Sequence, residues 1–130
     1  TADGDLVLAI GNDSQFASFC ETTNQNWSEN PLYASNSSRV ENREELIPLI
    51  AEIMITKTTH QWIIQLEKRG VPCGPVNSLA DILNDPHVKE RGVVTQIKDK
   101  DGTDVTVITN PIKYSKTPME YKKVPPKLED

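Results

Sequence analysis

The residues that could carry chemistry are few and scattered. A nucleophilic site of the Ser-His-Asp or Cys-His kind needs a base within reach of its nucleophile, and the histidines are His60 and His87. Neither stands in a recognisable motif: His60 falls in the first turn of an expected helix and His87 directly after Asp85-Pro86, so both read as surface or helix-end residues. Cys20 and Cys73 are too far apart for a CxxC metal pair and too few for a disulfide framework, which makes free buried thiols the expectation. Asp99, Asp101 and Asp104 around Gly102 resemble a calcium loop only superficially. An EF-hand loop has its glycine after the third acidic position and a Glu at the twelfth, where this chain has Asn110, so a solvated hairpin turn is the better reading. No metal site and no tightly bound cofactor is expected.

Two segments are harder to dismiss. Gly11-Asn12-Asp13-Ser14-Gln15-Phe16 stands where a strand end meets a helix start. Backbone N–H groups and the helix dipole favour an anion or a carbonyl at such a place, although Asp13 opposes a simple phosphate site. Capping and a tight turn explain the same residues without a ligand. Val71-Pro72-Cys73-Gly74-Pro75-Val76-Asn77 reads as a rigid loop between two helices, its path set by two prolines and a glycine. It can line a pocket or be a purely structural turn. The sequons at Asn12, Asn26 and Asn36 are expected by chance in an Asn- and Ser-rich chain without a signal-peptide pattern.

The elements that must position these segments follow from hydrophobic period. Leu6 to Ile10 is a short apolar run, read as a mostly buried strand. Asn12 with Gln15 makes a capping-box arrangement before Phe16, Phe19 and Cys20 on one helical face. Residues 22–38 read as a long surface connection containing Asn30-Pro31. Ser38 with Glu41, or Asn42 with Glu45, caps the helix carrying Leu46, Ile47, Ile50, Ile53 and Met54. Pro48 fits its first turn only if it begins near Glu44. Thr58 pairs with Gln61 ahead of Trp62, Ile63 and Leu66, and Gly70 ends that helix. Ser78 opens a short helix with Leu79, Ile82 and Leu83, and Asp85-Pro86 a turn closing at Gly92. The period then alternates from Val93 to Lys98 and from Asp104 to Thr109 across Asp101-Gly102, a hairpin. Ile112 to Ser115 is a candidate last strand, and Thr117 to Asp130 an extended end with a scatter of lysines. Lys113, Lys116, Lys122, Lys123 and Lys127, with Tyr114 and Tyr121, fit a solvated extension better than an anionic partner.

The chain has 130 residues, 36% of them hydrophobic and 25% charged, with a formal net charge of −5. That length allows one modest core. The negative balance argues against nucleic acid, and no run approaches the roughly 20 apolar residues of a membrane helix, so a soluble chain is expected. It opens on Thr1 rather than Met, which suggests a piece of a longer or processed polypeptide.

In order along the chain stand Thr1-Ala2-Asp3-Gly4, the first strand, Gly11-Asn12-Asp13 with Gln15-Phe16, and Arg39 with Asn42-Arg43-Glu44-Glu45-Leu46. Val71 to Asn77, Asp85-Pro86, Arg91-Gly92, and Ser115 with Thr117-Pro118 follow. This series resembles the family III CoA-transferases, the CaiB/BaiF and formyl-CoA transferase-like group that also includes α-methylacyl-CoA racemases. Pro48 and the tail ending Pro125-Pro126-Lys127-Leu128-Glu129-Asp130 depart from the pattern.

The resemblance implies an α+β fold, several helices on a small antiparallel sheet, with residues 1–110 as the small domain and 111–130 an extended segment returning towards a missing large domain. It implies a fragment of an enzyme that moves CoA between carboxylic acids. An aspartate of the large domain attacks the acyl-CoA carbonyl and later carries CoA as an aspartyl thioester. No residue here matches that nucleophile, so no catalytic residue is expected in this chain, and the chain alone should be inactive. Gly11, Asn12 and Asp13 are expected to line the cleft, and Pro72, Gly74, Pro75 and Asn77 to support its wall. The implied partners are acyl-CoA and a carboxylic acid, with a homodimer in the intact enzyme and neither nucleic acid nor membrane. The implied setting is intracellular, cytoplasmic or mitochondrial. Racemases of the family carry a glutamate and a proline where this chain has Asp13 and Ser14, which favours the transferase branch. A racemase-like fragment and a non-catalytic dimer-interlocking module are the alternatives.

Overall fold

A computed structural model describes residues 1–126. The elements are β1 (Leu6–Leu8), α1 (Asp13–Thr23), a 3-10 turn (Trp27–Glu29), α2 (Asn36–Glu41), α3 (Arg43–Met54) and α4 (Thr59–Glu67), followed by β2 (Cys73–Pro75), α5 (Leu79–Asn84), α6 (Pro86–Glu90), β3 (Val94–Lys98) and β4 (Asp104–Ile108). Helices with small antiparallel sheets are the α+β class expected, with two two-stranded ribbons, β1-β2 and β3-β4. No helix among the described residues is long and apolar enough to cross a membrane. The chain divides into two compact units, Thr1–Val76 and Asn77–Asp130.

The first unit holds every fully buried apolar side chain of the described residues: Phe16, Phe19 and Cys20 from α1, Leu46 and Met54 from α3, Trp62 and Leu66 from α4, with Tyr33 and Val71. At about 1.5–3 kcal/mol for each large side chain removed from water, this cluster dominates the unit's stability. Trp62 stays fully buried without a polar penalty because its indole N–H donates to the Met54 carbonyl at 2.8 Å. That carbonyl, at the end of α3, has no acceptor role inside its own helix. The Thr58–Gln61 capping box is present, and Gly70 at φ +69° turns the chain out of α4, where its N–H donates to the Glu67 carbonyl.

In the first unit four local readings change. Residues 22–38 are not a plain connection: they contain the 3-10 turn and the start of α2, capped by Ser35 rather than Ser38, and they bury Tyr33. A helix six residues long has too little amphipathic period to stand out in an Asn- and Ser-rich stretch. Asn42 separates α2 from α3, so Pro48 sits inside a helix that begins at Arg43 and removes only the bond to the Glu44 carbonyl. Val71–Asn77 is not a loop, because Cys73–Pro75 pairs with Leu6–Leu8 in the register Leu6↔Pro75, Val7↔Gly74, Leu8↔Cys73. In a ribbon of two strands every residue has an open edge, so prolines lacking an N–H are accommodated. β1 is shorter than read and only half-buried, with Leu6, Leu8 and Ile10 turned inward and Val7 outward.

In the second unit, Ser78 and Asp81 form a capping box on α5, and Asp85 caps α6 with Pro86 in its first turn. The β3-β4 hairpin closes over Asp99–Thr103 with Gly102 at φ +81°. Thr109 ties the hairpin to the end of α6, its N–H donating to the Val93 carbonyl and its hydroxyl to the Gly92 carbonyl, each at 2.8 Å. Residues 112–115 form no strand, since Asn110 Oδ1 takes the Ile112 N–H in a local turn. Of the lysine-bearing end, Lys122 is paired with Glu120, and Lys127 to Asp130 lie outside the described residues.

Candidate functional site

The β1–α1 corner is built by capping. Asn12 has extended backbone, and its Oδ1 accepts the Gln15 N–H at 2.9 Å and the Ser14 hydroxyl at 2.8 Å. Gln15 reaches back, but its Oε1 accepts from Gly11 at 2.8 Å rather than from Asn12, so the expected reciprocal box is displaced by one residue. As first-turn residues of α1, Asp13 and Ser14 have N–H groups without an acceptor inside their own helix.

Asp13 is not a free negative charge there. Its Oδ1 accepts from Arg39 Nη2 at 2.8 Å. The Arg39 guanidinium is buried to 8% exposure, against 59% for the Asp13 side chain. It donates to the carbonyls of Tyr33 at 2.9 Å and Ala34 at 3.3 Å, and it lies 4.4 Å from the centre of the Phe16 ring. A buried cation needs such a set of partners, since an unpaired one would cost several kcal/mol. Arg39 thus joins the start of α1 to α2, a role unread from the residues themselves; a lone arginine in a polar stretch gives no sign of burial.

The Pro-Gly segment meets the same corner at one end only. The Pro72 carbonyl accepts the Ala9 N–H at 2.9 Å, beside the turn that leads to Gly11. Gly74 and Pro75 run away along β1, and the Val76 N–H binds the Asp5 carbonyl at the other end of the ribbon. Four residues of strand separate those ends by about 13 Å. Asn77 opens the second unit.

Between β1, α2 and α3 lies a cleft of about 360 Å³ lined by Leu8, Ile10, Phe16, Asn36, Arg39, Val40, Arg43, Leu46, Ile47 and Ile50. It borders the corner through Ile10 and Phe16, and Gly11, Asn12 and Asp13 are not among its lining residues.

The cysteines and histidines do no visible chemistry. Burial pushes the thiols of Cys20 and Cys73 up, the direction of inert rather than nucleophilic sulfur. His60 and His87 are exposed on the first turns of α4 and α6. Burial and the neighbouring Glu45 carboxylate push the Tyr33 phenol up. Hydrogen bonds from Thr59 hold Asp3 below its ordinary carboxylate value, and those from Ser78 do the same for Asp81. No group of three or more His, Cys, Asp or Glu among the described residues could hold a metal.

A family model described as CoA-transferase family III matches residues 1–130. A succinate–glutarate CoA-transferase of Agrobacterium fabrum is 34% identical over 129 residues, 98% of this chain and 32% of that protein. The human succinyl-CoA:glutarate CoA-transferase is 33% identical, over 98% of this chain and 30% of its own length. A succinyl-CoA:mesaconate CoA-transferase of Haloarcula hispanica is 35% identical over 89% of this chain and 29% of that protein. Among solved structures, a CaiB/BaiF family protein from Brucella suis superposes with TM-score 0.86 at 32% identity, covering 99% of this chain and 33% of that one. The chain therefore spans about a third of the length of the curated relatives it matches.

Proposed function

The chain belongs to CoA-transferase family III, and from that premise we propose that it is the small-domain part of an enzyme that moves CoA between carboxylic acids. In this proposal the nucleophile lies outside the 130 residues. In this reading an aspartate carboxylate attacks the acyl-CoA carbonyl and expels the CoA thiolate, leaving a mixed anhydride. The thiolate then attacks the aspartyl carbonyl and releases the donor acid. The acceptor acid repeats these steps in reverse, and the aspartate returns free.

The observation that carries the proposal is the whole-length family match together with relatives whose names pair succinyl-CoA or succinate with glutarate or mesaconate. Those names favour short dicarboxylic acids and their CoA thioesters as substrates. Gly11, Asn12 and Asp13 then cover the reacting centre from the start of α1, and Pro72 braces that wall through Ala9, with Gly74 and Pro75 continuing along β1. The Arg39 pairing supports this assignment of the corner: it holds Asp13 in place and offsets its charge, so an anionic acyl group is not repelled. The intact enzyme acts as a homodimer, and this chain alone is inactive.

The test uses the parent polypeptide with its remaining length restored. Incubated with succinyl-CoA and glutarate, it should form glutaryl-CoA. With succinyl-CoA alone, hydroxylamine or borohydride should trap an aspartyl adduct visible by mass spectrometry. Solvent-deuterium exchange at the α-carbon of a 2-methylacyl-CoA with no adduct would replace this reading by the racemase.

A further inference from the structure

The cleft between β1, α2 and α3 has the make-up of a small-molecule site. Its volume, about 360 Å³, lies in the range of ligand pockets, and its walls are mostly aliphatic: Leu8, Ile10, Ile47 and Ile50. The polar residues that line it are Asn36, Arg39 and Arg43. Two are cations and none is an acid, in a chain whose net charge is −5.

The two arginines are not equivalent. Arg39 is buried and committed to Asp13, Tyr33 and Ala34. The side chain of Arg43, at the first position of α3, is exposed and has no hydrogen-bond or ion-pair partner among the described residues. Beside it, Ile47 is 59% and Val40 58% exposed, apolar surface that water covers at a cost. A ligand that suits both features has a short aliphatic stretch ending in an anion. A planar guanidinium matches a carboxylate with two parallel N–H donors.

The geometry points to this cleft as the subsite for the distal carboxylate of a short dicarboxylic acid, the end that does not carry CoA. The methylenes lie on Ile10, Ile47 and Ile50, and the carboxylate pairs with Arg43. This rests on the CoA-transfer reading and adds to it the residue that pairs with the far carboxylate.

The cleft is formed wholly by the first unit, so binding can be measured on this chain with isoleucine methyl groups labelled for NMR. Pentanoate, with the aliphatic stretch and one carboxylate, should shift the methyls of Ile10, Ile47 and Ile50 saturably. Pentanamide should bind about tenfold more weakly, and Arg43→Gln should weaken pentanoate by about tenfold, the scale of one charge-assisted hydrogen bond. Arg43→Lys should recover part of the loss. In the parent enzyme, Arg43→Gln should lower kcat/KM for glutarate relative to pentanoate as acceptor by about the same factor. The subsite is overturned if pentanoate leaves those methyls unmoved, or if Arg43→Gln binds it as the native chain does. It is also overturned if the glutarate-to-pentanoate ratio does not change in the parent, as when another stretch of the longer polypeptide fills the cleft. A parent enzyme that forms no glutaryl-CoA overturns the reaction instead, and the pentanoate titration still judges the cleft.

Discussion

Arg39 shows how one side chain can organise a corner of the fold. It gives up hydration for two carbonyls, one carboxylate and the face of Phe16. Arg39→Ala would leave the Tyr33 and Ala34 carbonyls without their donor and open space over Phe16, so about 2–4 kcal/mol of stability should be lost. Asp13→Asn should cost much less, because the Asp13 side chain is 59% exposed and water can replace part of the contact. Urea denaturation of the two variants checks this, and equal midpoints would mean that the ion pair rather than the buried guanidinium carries the effect. At this scale the sequence was readable where function follows from a local pattern. Asn12 and Thr58 announce themselves as caps by the residue three positions on, whereas the burial of Arg39 depends on α1 meeting α2, which no local pattern encodes.

At the scale of elements, capping residues separated by long stretches of chain hold the first unit's edges. Asp3 lies 56 positions from Thr59, yet its carboxylate accepts both the Thr59 N–H at 2.7 Å and the Thr59 hydroxyl at 2.9 Å, at the start of α4. These bonds favour the ionised form and hold Asp3 below its ordinary value of 3.8. A carboxylate lowered in the folded state contributes stability that is complete above 3.8 and disappears as pH falls through the lower folded value. The stability difference between the native chain and Asp3→Ala should therefore be constant from pH 7 down to about pH 5 and shrink below pH 4. Thermal melts across that range test it, and a difference that persists below the folded value would assign the effect to packing instead. Helices with a strong apolar period, α1, α3 and α4, are legible in the sequence. β2 is not, because two prolines and a glycine in seven residues signal a loop unless the partner strand is known, and the partner lies in the first ten residues.

At the scale of the whole molecule, burial is uneven. The first unit contains all the fully buried apolar side chains of the described residues, while the second leaves Leu79 and Ile108 each 67% exposed and buries no described residue fully. Family membership was legible at this scale because its short motifs survive as an ordered series, even though each is weak alone. Local stability follows buried apolar contacts, so the two units should open with different free energies. Hydrogen exchange followed by mass spectrometry should show amides of α1 and α4 protected to the level of global unfolding. The β3-β4 hairpin, a ribbon of five-residue strands with little buried surface, should exchange orders of magnitude faster, since isolated hairpins are marginal in water. This chain covers about a third of its relatives, so the same hairpin measured in the parent polypeptide should gain protection as its exposed Ile108 is covered. Hairpin amides as slow as those of α4 in the isolated chain would show that the second unit is stable by itself, and would remove the reason to expect a covering surface there.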